Sequence, residues 1–305
     1  MVTEKFDPEA YEGIRYEHLT DDIVNIAMAR PQVRNAQDMA MTYALNAAFD
    51  RAAHDDSVKV IILSGDGPHF SAGHDMGGDR AMTWRNFPTV GTWAGFDGKG
   101  VEGLYGREKE IYLEMCERWR KLPKPTIAAV QGTCVAGGLM LAWTCDIIIA
   151  TETARFKDPT LEFGVAGVEY FMHPWELGTR KAKEWLLTSD WLSAEDAHSC
   201  GMVNQVVVDA ELMNAALVMA RKIAAKSTFV AKAAKEAINH AQDVMGRRNA
   251  MMHAFGLHQL SHSHSKQQWN ILIDPSGVAP SVREKIRARF NLPPFDIPSE
   301  RDKPT

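Results

Sequence analysis

The sequence predicts an α/β fold in which a largely parallel sheet is covered by helices. Three short apolar runs rich in β-branched residues, at positions 59–64, 126–130 and 146–151, are typical of buried strands. Segments with apolar residues at helical spacing lie between them, and glycine-rich loops follow the first two runs. The repeated order of strand, loop and helix is typical of a sheet covered on its faces.

The elements follow in order along the chain. The patterns predict extended runs at 14–19 and 23–28, a helix at 36–53, a strand at 59–64, a loop at 65–78, a helix at 108–121, a strand at 126–130, a loop at 132–138, a helix at 139–143 and a strand at 146–151. The helix at 108–121 must stop before Pro123 and Pro125, because proline rejects a helical residue before it.

Residues 81–106 are rich in glycine and aromatic side chains, including Trp84, Trp93 and Tyr105. The segment is too long for a plain connection. Two interpretations stay open: a mobile wall or lid of a pocket, or a surface insertion packed by its own aromatic side chains.

The character of the chain changes near residue 209. We expect residues 1–208 to form the core with the ligand site, and residues 209–305 to form a C-terminal helical region with a proline-containing tail from Asp274. The Met- and Ala-rich helical faces of this region serve either subunit assembly or burial against the same subunit.

Composition excludes several classes of protein. The 305 residues carry a net charge of −5 and no run of Lys and Arg, which argues against nucleic-acid binding. The four cysteines are dispersed and form no CxxC pair, and nowhere do 18 apolar residues run together. We therefore expect a reduced, cytoplasmic protein without a membrane span. Dinucleotide, esterase-elbow and NTPase motifs do not occur.

Two loops point to chemistry. The first, FSAGHDM at 70–76, follows one predicted strand, and the second, GTCVAGG at 132–138, follows another and opens a helix. Small residues let the backbone approach a ligand, and a helix N-terminus offers unpaired N–H donors. Two such loops facing each other would place two amides on one oxygen atom, which is an oxyanion hole.

The run RPQVRNAQD at 30–38, the loop FSAGHDM and the block at 127–165 together resemble the crotonase (enoyl-CoA hydratase/isomerase) superfamily. The resemblance implies a crotonase-like spiral of β-β-α units with a helical C-terminal region, assembled as a homotrimer or a dimer of trimers. It implies that the amides of His74 and Gly137 bind the oxygen of an acyl-CoA thioester. Coenzyme A would arrive as part of the substrate, with no other cofactor.

The same resemblance implies a set of substrate-binding positions around the coenzyme A and acyl groups: Arg34, Ala36, Ser71, Ala72, Gly73, Asp75, Met140, Thr160 and Glu162. Met140 and Thr160 stand where hydratases of this family carry the two glutamates that activate water. Neither side chain can replace a carboxylate in moving a proton. The reaction is therefore not expected to be simple hydration. Isomerisation, thioester hydrolysis, carbon–carbon cleavage and non-catalytic acyl-CoA binding stay open.

Two other carboxylates are candidates for the acid/base. Glu162 reaches the pocket if its segment is extended, since residues 160 and 162 then share a face; otherwise it forms a surface salt bridge. Glu169 lies among apolar neighbours that would raise its pKa, and it is our candidate for the catalytic acid/base. The alternative is a helix-capping or solvated carboxylate.

Several histidines and aspartates are further candidates for a role in the site. The ring of His74 could titrate near neutrality, whereas Asp75 and Asp158 are expected to order their loops. The histidines at 253, 258, 262 and 264 invite a metal hypothesis because His258 and His262 are one helical turn apart. A polar helix face accounts for them more simply, so no metal is expected.

Overall fold

The computed structural model describes residues 5–75, 86–295 and 297. Nine strands occur in these ranges: β1 Ile14–Thr20, β2 Ile23–Met28, β3 Val60–Gly65, β4 Thr126–Val130, β5 Thr133–Val135, β6 Ile147–Thr151, β7 Arg155–Lys157, β8 Leu192–Ser193 and β9 Gln205–Val207. A six-stranded sheet has the order β1-β2-β3-β4-β6-β9, and a three-stranded sheet has the order β5-β7-β8. In the larger sheet only the β1–β2 pair is antiparallel.

Ten α-helices lie in the described ranges: α1 Met39–His54, α2 Val101–Glu108, α3 Met115–Arg120, α4 Gly137–Thr144, α5 His173–Thr188, α6 Ala194–Ser199, α7 Leu212–Ala224, α8 Thr228–Val244, α9 Arg247–Trp269 and α10 Pro280–Phe290. A π-helical stretch, Lys109–Glu114, joins α2 to α3, and short 3-10 turns occur at Pro31–Val33, Thr160–Phe163, Asp209–Glu211 and Pro275–Gly277. No helix among the described residues is long and apolar enough to span a bilayer.

The larger sheet is buried on both faces. Its central strands β2, β3 and β4 expose almost no side chain, which explains why they read as continuous apolar runs. One face lies in the main apolar core, which also contains residues of α1, α3, α4 and α9. The other face is covered by α7, whose buried alanines recur every four residues.

Several boundaries differ from the sequence-based predictions. The helix expected to begin at residue 108 already begins at Val101, because Gly103 and Leu104 pack inward. The tail contains α10, which packs through Ile286 against Ile271 and Val278. In the C-terminal region, α7 packs on the sheet through Leu212, Ala216, Ala220 and Ala224.

Candidate functional site

The two glycine-rich loops lie side by side. They follow β3 and β4, which are parallel neighbours, so their carboxyl ends meet at one edge of the sheet. The amide of Ser71 donates to the carbonyl of Thr133 at 3.1 Å, and the amide of Val135 donates to the carbonyl of Ser71 at 3.0 Å. These bonds fix the loops together just before His74 and Gly137.

The amide of His74 points away from the segment at Gln37, with which the first loop forms a parallel β-bridge. Gln37 donates to the carbonyl of Gly73 at 2.7 Å and accepts from the amide of Asp75 at 2.7 Å. In such a parallel bridge the intervening residue turns its N–H to the opposite side. Within the described part of the chain, the His74 amide donates to no other group.

The amide of Gly137 is the first of helix α4. Ala136 before it has φ 47°, a positive value that an alanine adopts only under constraint. The Gly137 amide likewise donates to no other group among the residues described. A Cβ built on Gly73, whose φ is +91°, would lie 3.2 Å from the Gly137 nitrogen, so only glycine lets the two loops approach this closely.

The ring of His74 covers Gly137. It stacks on Tyr112 with centroids 3.8 Å apart, and a Cβ built on Gly137 would lie 2.7 Å from the His74 Nε2. This nitrogen is buried and has no hydrogen-bond partner among the described residues, and the same is true of the side-chain amide nitrogen of Gln37. Burial lowers the pKa of His74 to about 4, so the expectation that its ring titrates near neutrality is wrong.

Arg30 connects the segments that were expected to line the coenzyme A site. Its guanidinium donates to the carbonyl of Ala36 at 2.7 Å and pairs with Asp75 at 3.0 Å. Asp75 therefore orders its loop, as expected. The amide of Ala72 donates to the carbonyl of Arg34 at 2.9 Å, and the Arg34 side chain is exposed at the edge of the site.

Ser71 reinforces the same loop from within. Its hydroxyl donates to the carbonyl of Asn35 at 2.8 Å and accepts from the amide of Gly73 at 3.2 Å. Asn35 in turn donates to the carbonyls of Asp66 and His69. The hydroxyl thus fixes the approach to His74, which is the reason for a small polar residue here.

Of the two positions of the family glutamates, Met140 is buried and Thr160 is half-buried. Met140 is 1% exposed, and its sulfur accepts from the amide of Tyr170 at 3.5 Å. The hydroxyl of Thr160 is buried without a partner among the described residues. Asp158 accepts hydrogen bonds from the amides of Thr160 and Val168, so it joins the segment that contains Glu169 to the Thr160 segment.

Glu162 does not face the interior. Residues Thr160–Phe163 form a 3-10 turn rather than an extended segment, so the side chains at 160 and 162 do not share a face. The Glu162 carboxylate pairs with Lys157 at 2.7 Å, and its side chain is 40% exposed. The salt bridge that was the alternative interpretation is what the structure contains.

Glu169 is a buried carboxyl with a raised pKa. It is 4% exposed, and burial raises its pKa to about 7, against the opposing effect of His258 at 3.7 Å. Tyr170 and His173, next to it, are fully buried. His173 pairs with Asp158 at 2.8 Å, which confirms that Asp158 orders this segment.

The expectation of a polar helix face is wrong for two of the four histidines on α9. His253 and His264 are exposed, but His258 and His262 are buried and face Glu108 at the end of α2. The nearest possible ligand atoms of Glu108, His258 and His262 all lie within 4.8 Å of one another. These residues could hold a metal ion.

The described part of segment 81–106 packs both on the rest of the chain and on itself, since Trp93 contacts Tyr105 with ring centroids 5.2 Å apart. Phe87 stacks on Tyr43 with centroids 4.9 Å apart, and Tyr105 contacts Phe255 of α9. The amides of Val90 and Gly91 donate to the carboxylate of Glu110, each at 2.7 Å. Residues 81–85 of this segment, and Met76 of the first loop, lie outside the described residues.

Sequence reasoning missed Gln37, Tyr112, Glu108 and the burial of His258. The turn of helix that separates His258 from His262 was a usable signal for a shared inward face. Nothing in the sequence paired Glu108 with a helix 150 residues further on, because that contact depends on the packing of α2 against α9.

Comparison with known proteins gives consistent matches over most of the chain. The enoyl-CoA hydratase/isomerase family model matches residues 19–88 and 94–271. A putative enoyl-CoA hydratase of Mycobacterium tuberculosis, EchA13, is 44% identical over 92% of this chain and 93% of its own length. A 4-chlorobenzoyl coenzyme A dehalogenase of Arthrobacter is 31% identical over 71% of this chain and 74% of its own length. The crystal structure of a probable enoyl-CoA hydratase from Mycobacterium smegmatis superposes with a TM-score of 0.78 at 40% identity, covering 87% of this chain and all of that one.

Proposed function

Because this chain belongs to the enoyl-CoA hydratase/isomerase family, we propose that it holds the thioester oxygen of an acyl-CoA between the amides of His74 and Gly137. One observation carries this proposal: two adjacent loops each present an amide that donates to no other group in the described chain. Such donors stabilise the negative charge that develops on the oxygen when the thioester becomes an enolate. The carbon–hydrogen bond next to the carbonyl is thereby activated.

We propose that Glu169 moves the proton. Met140 and Thr160 cannot replace the two glutamates of a hydratase, and Glu162 faces solvent beside Lys157. The backbone on either side of Glu169 supports this assignment, since the amide of Tyr170 bonds to Met140 and the amide of Val168 shares Asp158 with the amide of Thr160. A carboxyl that is protonated and ionised in comparable amounts near neutral pH can both accept and return a proton.

A single carboxyl that takes and returns a proton suits isomerisation better than hydration, since hydration of the usual kind needs a second group for the water. The family includes relatives with other reactions, as the dehalogenase of 4-chlorobenzoyl coenzyme A shows by its name. Hydrolysis of the thioester is the second candidate reaction, because the same amides would stabilise its tetrahedral intermediate. No redox cofactor is required for either reaction.

The experiment follows enolate formation directly. Butyryl-CoA is incubated with the protein in D2O, and loss of the protons next to the carbonyl is followed by NMR. We expect wild-type protein to catalyse this exchange, and Glu169→Gln to abolish it while leaving coenzyme A affinity nearly unchanged. Glu176→Gln is the matched control, because Glu176 is a half-buried carboxyl whose pKa is also raised to about 7, but it lines a separate cavity with Arg120.

Crotonyl-CoA identifies the reaction. Loss of its enoyl absorbance would indicate hydration, and new free thiol would indicate hydrolysis. A 3-enoyl-CoA that gains the absorbance of the conjugated 2-enoyl thioester would indicate isomerisation. Tight binding without proton exchange or any turnover would refute the enzymatic proposal and leave an acyl-CoA-binding protein.

The trimer or dimer of trimers that the family resemblance implies belongs to the same proposal. Helix α8 supports it, since Phe229, Ile238, Val244 and Met245 on or beside this helix are each at least 67% exposed. Exposed apolar side chains of this size are typical of subunit interfaces. Light scattering on purified protein measures the assembly.

A further inference from the structure

Three side chains outside the acyl-CoA chemistry converge between two helices. Glu108 ends α2, while His258 and His262 lie one turn apart on α9. The two Nε2 atoms are 3.0 Å apart, and the Glu108 oxygens lie 3.4 Å from His258 Nε2 and 3.6 Å from His262 Nε2. Three potential ligand atoms therefore surround one point.

The backbone fixes which nitrogen of each ring faces that point. His258 Nδ1 lies 2.7 Å from the carbonyl oxygen of Gly167, and His262 Nδ1 lies 2.6 Å from that of Leu272. Because a carbonyl only accepts, both Nδ1 atoms carry hydrogen, and each Nε2 is directed inward. Metal-binding histidines are held in this way, with the outer N–H donated to a backbone carbonyl or a carboxylate.

The carboxylate is also oriented from outside. Gln259 donates to Glu108 Oε2 at 2.5 Å, which turns the two oxygens towards the histidines. The carboxyl of Glu169 lies beside this group, 3.7 Å from His258 Nε2. Two inward imidazole nitrogens with no donor between them would be unfavourable, so the site requires a cation, either a proton on one ring or a metal ion.

We propose that Glu108, His258 and His262 bind a divalent transition-metal ion of the zinc type, with water in the fourth position. Two imidazoles and one carboxylate match the ligands that zinc prefers, whereas magnesium and calcium prefer oxygen alone. Zinc–nitrogen bonds of about 2.0–2.1 Å place tetrahedral nitrogens about 3.3 Å apart, so the rings at 3.0 Å need to move only a few tenths of an ångström.

The ion would join α9 to α2. These helices also contact each other through Tyr105 of α2 and Phe255 of α9, so the ion would stabilise the packing of segment 81–106 on α9. Glu169 lies outside the ligand set, which consists of Glu108, His258 and His262. The site is a departure from the sequence-based expectation of no metal. It depends on the burial of His258 and His262 against Glu108, a contact that only the packing of the two helices shows.

The test uses full-length protein stripped with a chelator. Zinc is titrated in competition with a chromophoric chelator, and cobalt is added in parallel for its absorption spectrum. We expect one equivalent of either metal per chain, a cobalt spectrum without thiolate charge-transfer bands, and a higher thermal midpoint when zinc is in excess. Failure of wild-type protein to bind one equivalent overturns the proposal and leaves a proton as the cation.

Variants assign the ligands. His258→Ala, His262→Ala and Glu108→Gln should each weaken zinc binding by more than about 100-fold, and Gln259→Ala by about 10- to 100-fold, the range for a residue that orients a ligand. His253→Ala is the matched control and should bind as wild type does, because His253 is exposed on the same helix.

Circular dichroism establishes that each variant is folded. A folded His258→Ala or His262→Ala protein that keeps the bound ion overturns the proposal, as does a His253→Ala protein that loses it. If a ligand variant does not fold, the metal stoichiometry and the cobalt spectrum of the wild-type protein still decide whether the site binds a metal ion. Because the readout is metal binding, its failure leaves the oxyanion hole untouched.

Discussion

Adding one methyl group at Gly137 tests whether the amides carry the activity. The new Cβ would lie 2.6 Å from His74 Cδ2 and 3.1 Å from the side-chain nitrogen of Gln37, whereas carbon atoms pack at about 3.5–4.0 Å. The His74 ring must therefore move by about 1 Å. Since Tyr112 is stacked on it at 3.8 Å, part of that movement passes to the His74 backbone.

A displaced His74 amide no longer lies at the 2.7–3.1 Å that an oxyanion donor needs, and loss of one donor costs about 10²- to 10³-fold in rate. We expect Gly137→Ala to slow proton exchange into butyryl-CoA by about this factor. His74→Ala removes the ring but keeps the amide, so it should stay within about tenfold of wild type. The double variant relieves the clash and should recover most of the loss, with a coupling energy of about 1.5–3 kcal/mol.

The cycle has two refuting results. If Gly137→Ala exchanges protons as fast as wild type, the two amides do not share the enolate oxygen. If the double variant is as slow as Gly137→Ala, the clash with the His74 ring is not the cause. Denaturant unfolding of all four proteins separates lost activity from lost structure.

Two predictions concern stability. Arg247 is fully buried and binds Glu117 through two bonds of 2.5 and 3.0 Å and Asp243 at 2.6 Å, so Arg247→Met should lower the free energy of unfolding by about 3–5 kcal/mol, as measured with urea. If the double variant Glu117→Gln/Arg247→Met recovers this stability, the unpaired Glu117 carboxylate is the cause. A single variant as stable as wild type would contradict the prediction. The pKa of His74 is about 4 when folded and about 6.5 when unfolded, so the unfolded chain binds more protons and stability falls between pH 6.5 and 4. Wild type should lose up to roughly 3 kcal/mol more than His74→Gln between pH 7 and 4, and equal losses would show that the ring is not held neutral.

The central strands were predictable because a strand buried on both faces appears in the sequence as a continuous apolar run. Thr126–Val130 was predicted to the residue, and Val60–Gly65 to within one residue at each end. The α/β class and the crotonase-like fold followed from these strands together with the family motifs, and both are confirmed by the solved structure from Mycobacterium smegmatis.

Helix boundaries in the glycine-rich segment could not be predicted in the same way. Val101–Glu108 is helical although it contains Gly103 and Gly106, residues with low helix propensity. Contact with α9 through Tyr105 and Phe255 stabilises the helix, and this contact joins residues that are far apart in the sequence.

The main-chain part of the site was visible in the sequence, but its side-chain environment was not. Small residues mark where a backbone must come close to a ligand, and they pointed to His74 and Gly137. The 3-10 turn that directs Glu162 to Lys157 depends on Gly164, whose left-handed conformation ends the turn. The pairing of Glu108 with His258 depends on how two distant helices meet, which no local pattern records.

The most direct test of the oxyanion hole is a crystal structure of the protein with butyryl-CoA bound. We expect the thioester oxygen to lie within about 3.1 Å of both the His74 and the Gly137 amide nitrogens. A thioester oxygen that contacts only one amide, or amides that are bonded within the protein instead, would contradict it.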